Sequence, residues 1–269
     1  MNTDDRPLRT RTAGLIALAV TAAVAAAVAA AAVWMLTRPQ STDSGDPSAS
    51  PHHTQHDSQT SDAGSSGGSA SRRESPRTAA KHGVVLPRGA GQVNGLATKF
   101  PYTALGAVAT QVGVSRAQIG FDYETAITAV RTYADPEQTS VFEQRARWAV
   151  AERRRAAGVP AGGEAPAPAS YAVTPVAYHL QQLDADCYAV TLLSFITFTT
   201  TGGRSKDGFY AGTQLVKWVE TESEGDWKLT AGTKDDVRQV LDADRPKPAV
   251  PGTAKFTSEG WIGLNAEQP

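Results

Sequence analysis

Five histidines, a single cysteine and a few aspartates and tyrosines beside apolar runs are the residues of this chain that could do acid–base or nucleophilic chemistry. His52, His53 and His56 lie in a Ser/Asp/Gly-rich stretch, where nothing fixes the geometry a metal needs, so no metal is assigned to them. His82 closes that stretch, and His179 stands alone on an alternating pattern. Asp184 and Asp186 fall in Leu-Asp-Ala-Asp-Cys, where aspartate suits a turn by backbone geometry alone. Tyr178, Tyr188 and Tyr210 complete the set from which an active site would be drawn. Cys187 opens an apolar strand with no base beside it, which predicts a buried, inert thiol. One cysteine also excludes an internal disulfide and a cysteine-based zinc site. There is no Gly-x-Ser-x-Gly elbow, phosphate loop, GxGxxG or HExxH pattern. The expectation is a protein that is not an enzyme, with no catalytic residue, cofactor or metal.

Charge is the other chemistry available. Lys and Arg number 26 against 27 Asp and Glu, a formal charge of −1, which excludes a wholesale basic surface for nucleic acid. Within that balance Arg145, Arg147, Arg153, Arg154 and Arg155 crowd one segment. Arginines late in a helix complement its dipole and cover apolar neighbours with their stems, so a solvated helix face is the simpler reading. Partner docking is the alternative, with Trp148, Arg153, Arg154 and Arg155 as the candidate contact residues.

The elements that must carry these residues are unevenly distributed. From Ala13 to Leu36 no side chain is charged, a length that matches a bilayer's hydrocarbon core. Arg6, Arg9 and Arg11 precede it, which predicts residues 1–12 as a cytoplasmic tail, 13–36 as a transmembrane helix and the rest outside the cell. A cleaved secretory signal is the alternative and leads to the same export, with release of the protein. Residues 37–82 hold too few apolar side chains to offset chain-ordering entropy, so they read as a disordered linker.

Residues 83–269 read as one α+β domain with an extended C-terminal tail. Gly83 to Gly95 forms an extended lead-in. Thr103 is placed to cap a helix carrying Leu105, Val108, Ala109 and Val112. A second helix from about Asp122 carries Tyr123, Ala126, Ile127, Val130 and Ala134. A third runs from about Pro136 to Ala157, stops at Gly158, and buries Val141, Phe142, Ala146, Ala149 and Val150. The period then changes to two. Strands are expected over 171–182, with Val176, Tyr178 and Leu180 on one face, over 187–201, over 209–222 and over 227–230. Residues 202–208 are read as a turn, and Phe256 and Trp261 to Leu264 as a segment that docks back. Helices followed by an antiparallel meander predict a curved, cone-like sheet with the helices on one face.

The order helix-helix-helix and then a meander ending in Gly225-Asp-Trp-Lys-Leu229 resembles the nuclear-transport-factor-2-like (cystatin-like) fold. Together with a cytoplasmic tail, a membrane helix and a linker, it is similar to bitopic subunits of conjugative type IV secretion systems. Phe100-Pro-Tyr-Thr-Ala-Leu-Gly-Ala107 resembles the Tyr-x-His-Thr-x-x-Gly-Ala lead-in of membrane proteins from actinobacterial conjugative elements, with no His before Thr103. The resemblance covers residues 100–231 and brings no catalytic set. It implies an assembly subunit that binds envelope or transfer-apparatus proteins and itself; export of the domain separately predicts no direct contact to nucleic acid. It also leaves room for a ligand-binding or isomerase-like cone, for which His179, Asp184, Asp186 and the three tyrosines are the candidates.

Overall fold

The computed structural model describes residues 83–220 and 224–265. The expected membrane helix at 13–36 and linker at 37–82 lie outside the described residues. Among the described residues no helix is long and apolar enough to cross a membrane.

The domain is α+β. A short hairpin, β1 (Gly91–Val93) and β2 (Leu96–Thr98), precedes helices α1 (Ala104–Ala117), α2 (Tyr123–Tyr133) and α3 (Thr139–Ala157). Strands β3 (Ser170–Asp184), β4 (Cys187–Thr199), β5 (Ser205–Glu220) and β6 (Gly225–Thr230) follow. Helices α4 (Lys234–Asp242) and α5 (Ala254–Ser258) and strand β7 (Ile262–Gly263) end the described chain. The five-stranded sheet has the order β6-β5-β4-β3-β7, with neighbours antiparallel.

Local chemistry explains the helix ends. Thr103 accepts the Gly106 amide at 3.1 Å, and Asp122 accepts the Thr125 amide at 2.6 Å. Pro136 opens a 3₁₀ turn that leads into α3, and Gly158 ends α3 with φ 72°, a left-handed value that favours glycine. The β1–β2 turn uses Asn94 (φ 51°) and Gly95 (φ 79°), the pair a two-residue hairpin demands.

The sheet is buried on both sides. Toward α1–α3 it presents Tyr178, Val190, Leu192, Val216, Trp227 and Leu229, which pack against Val108, Val112, Val130, Tyr133 and Phe142. Further along that face Ile196 and Phe198 meet Phe121, Ala157 and Tyr171. On the outer face Ala177 and Leu193 lie under Ala249, Phe256 and Trp261, while Ala189 and Leu215 lie under Val237 and Val240 of α4. Helices therefore cover parts of both faces, not one. The returning tail removes apolar surface that an antiparallel sheet would otherwise show to water.

Two further expectations are corrected. β5 begins at Ser205, so the turn after β4 is shorter than 202–208. On β3 the register shifts between Pro175 and Ala177, which makes Val176 an extra residue. The bulge rotates the strand, so Val176 joins Ala177 on the outer face while Tyr178 and Leu180 turn inward. Pro175, which has no amide to donate, sits at that irregularity.

The start of α1 and the last hairpin hold each other. The Trp227 indole, 1% exposed, donates to the Pro101 carbonyl at 2.9 Å across 126 residues of sequence. A Cβ on Gly106 would collide with that same carbonyl oxygen and lie 2.9 Å from Trp227 Nε1. Tyr102 stacks on Trp227 with centroids 5.6 Å apart and touches Trp218 at 4.8 Å. The motifs Phe100–Ala107 and Gly225–Leu229 are thus one structural clasp.

Candidate functional site

The acid–base candidates are not brought together. Tyr178, Tyr188 and Tyr210 face the helices, whereas His179 is on the outer face beneath the Gly260 turn. Asp184 binds the Ala185 amide at the tip of the β3–β4 hairpin, and Asp186 stands 3.9 Å from Lys217. Burial raises the Tyr178 and Tyr210 phenols above their ordinary range, with Asp207 adding to the effect at Tyr210. Cys187 is buried, and desolvation, with smaller contributions from Asp236 and Asp186, pushes its thiol up to about 12. A thiol so placed stays protonated and unreactive at neutral pH.

The arginine run divides. Arg154 is 3% exposed and donates to the carbonyls of Pro160 (2.6 Å), Phe121 (2.7 Å) and Gly163 (2.7 Å). It ties the end of α3 to the α1–α2 loop and to the linker before β3. Arg153, 5% exposed, donates to Ala149 and Gln118 carbonyls and lies 4.7 Å over the Tyr171 ring. Burial pulls its guanidinium below the ordinary arginine value, and the neighbouring Tyr171 offsets this in part. The Tyr171 hydroxyl is sealed and finds no partner of hydrogen-bond geometry, so the ring contact is the interaction that counts. Arg153 and Arg154 are therefore interior residues, a correction to the expected docking patch. Arginine's planar fork satisfies several fixed carbonyls at once, and that draws it inside.

Trp148 and Arg155 do face solvent. Trp148 is 48% exposed, and among the described residues Arg155 pairs with Glu152 on its own helix. With Val141 (41% exposed), Gln144 and Ala151 they form a stripe at 141, 144, 148, 151 and 155, flanked by exposed Arg147. Steps of three and four residues line up one face of a helix.

The interior also holds a polar band, built from residues outside the candidate set. Between α1–α3 and β4–β5 are two adjoining cavities of about 60 and about 40 Å³. Gln118 and Gln214 line both. The larger is also lined by Arg145, Arg153, Phe142, Val130 and Leu229, the smaller by Gln111, Ser194 and Tyr210. Gln111 Oε1 is buried without a hydrogen-bond partner. A signal existed: Gln111 on the apolar α1 and Gln118 at its C-terminal cap are seven residues apart, and Gln214 interrupts the inward face of β5. A wider, open groove of about 780 Å³ lies between Val85–Gln92 and α1, with Arg88 and Arg116 on its walls. Among the described residues no His/Cys/Asp/Glu group is arranged to hold a metal.

Compared with known proteins, the chain matches no family model, no curated protein and no solved structure.

Proposed function

We propose that this protein is a membrane-anchored assembly subunit whose α+β domain, held outside the cell by residues 13–36 and the 37–82 linker, binds a partner protein through α3. The observation that carries the reading is the exposed stripe centred on Trp148, an aromatic anchor half open to water between two arginines. Aromatic and arginine side chains supply most of the binding energy where proteins meet. The partner this face suits is a helix with an apolar seam and acidic flanks, laid along Val141, Trp148 and Ala151. A linker keeps such a domain near partners in the same membrane, which lifts their effective concentration and lets a modest affinity suffice. The resemblance to nuclear-transport-factor-2-like domains of bitopic conjugation proteins supports a cone-like sheet and a conjugative transfer or secretion apparatus as the setting.

The test is site-specific photo-cross-linking of the full-length chain in the cells that make it. A cross-linker in place of Val141 or Trp148 is expected to capture one envelope protein, and one in place of Lys206 on β5 to capture none. Equal capture from all three positions, or none from α3, refutes the assignment.

A further inference from the structure

The larger interior cavity, between α2, α3 and the β5–β6 side of the sheet, combines three features. Both Arg145 and Arg153 line it, no Asp or Glu does, and neither guanidinium has a carboxylate partner among the described residues. A buried cation without a counter-charge is costly, and an anion entering beside it recovers part of that cost. Donors are also left over. Arg153 uses Nε and Nη1 on backbone carbonyls; among the described residues Arg145 makes a ring contact with Phe142 at 5.2 Å and no hydrogen bond, and the Gln118 and Gln214 side-chain amides bond to no described group. Finally, the other wall is apolar, formed by Ala126, Val130, Phe142 and Leu229.

We infer that this cavity is a binding site for a small alkyl monocarboxylate, with the carboxylate on the Arg145 guanidinium, Arg153 a further positive charge along the same wall, and the alkyl tail against Val130 and Leu229. The planar guanidinium matches a carboxylate in two parallel hydrogen bonds. A cavity of about 60 Å³ holds roughly four waters, or an acid of about four to six heavy atoms in their place. A phosphate dianion fits the wall poorly, since it would surrender its hydration to hydrocarbon. The neighbouring space of about 40 Å³ accepts water, which gives the orphaned Gln111 Oε1 a donor. The site stands apart from the α3 stripe and does not depend on the assembly role.

The experiment titrates the full-length chain with acetate, propionate and butyrate at constant ionic strength, followed by thermal unfolding and calorimetry. Propionamide, chloride and inorganic phosphate are the controls. Propionate is expected to bind saturably with a dissociation constant on the order of 1 mM and to raise the unfolding temperature. Propionamide is expected to do neither. Arg145→Gln, at the less buried of the two arginines, should weaken propionate at least about tenfold while the protein stays folded. Gln214→Leu provides a second variant, expected to weaken it less. Three outcomes overturn the inference: a response that follows ionic strength whatever the ion, phosphate binding as well as propionate, or an unchanged affinity in Arg145→Gln. A flat propionate titration, the result that cavities holding only water would give, overturns it as well.

Discussion

The inner and outer sides of α3 use the same residue type to opposite ends. Arg154 is sealed against three backbone carbonyls from two other segments, while Arg155, one position on, pairs with Glu152 in solvent. Tyr123 and Tyr171 give the buried pair aromatic faces at 5.6 and 4.7 Å, whereas Trp148 on the outer side has water over half its surface. A run of arginines is thus not one patch. The helix turns about 100° per residue, so three consecutive side chains face the core, the loops and the solvent.

The largest effect should come from the inner side of the helical layer. Gly106→Ala sets a methyl against the Pro101 carbonyl and the Trp227 indole, which cannot both retreat. A loss of more than about 4 kcal/mol, or failure to fold, is expected in chemical denaturation. A variant as stable as the parent would show that the clasp is not rigid. Next, Arg154→Met should cost about 3 kcal/mol by orphaning carbonyls that a charged donor now satisfies, against less than about 0.5 kcal/mol for Arg155→Met. Similar losses in the two would erase the distinction between the faces.

Asp122 sharpens the comparison, because it is exposed yet structural. Hydrogen bonds from the Thr125 amide and then its hydroxyl hold its carboxyl below the ordinary value of 3.8. Its cap therefore stabilises fully above that value and is lost as pH falls through the lower folded value. Asp122→Ala should cost about 1 kcal/mol at neutral pH, with the gap to the parent closing in acid. A gap that persists at the acid end would assign the loss to something other than the carboxylate. The smallest effect on stability, within about 0.5 kcal/mol, is expected for Trp148→Ala, which should nevertheless abolish partner capture. Lost stability there would mean that Trp148 serves the fold.

Most of the sheet was legible because its evidence is local and periodic. β4 is apolar on both faces over most of its length, the mark of a central strand, and Thr103, Asp122 and Gly158 mark helix ends by chemistry that acts within four residues. Two further local signals are present in the chain. Asn94-Gly95 specifies the β1–β2 hairpin, and Thr233 with Asp236 forms the capping box that starts α4. The bulge at Val176 and the burial of Arg153 and Arg154 depend on contacts with distant segments, on which spacing is silent. The polar band is partly of this kind: the spacing of Gln111 and Gln118 is local, but that they line one space with Gln214 shows only once α1 is laid across β4 and β5.

The clasp also bears on how the domain is made. Gly106 and Pro101 leave the ribosome long before Trp227, the side chain that closes over them. A chain shortened before β6 keeps its three main helices and loses their lid, with Ala107 and Val108, now wholly covered, among the residues beneath it. Contacts of such separation slow folding and leave partial chains sticky. The domain is therefore completed from its far end, and a truncated product should be met by chaperones or proteases rather than by its partner.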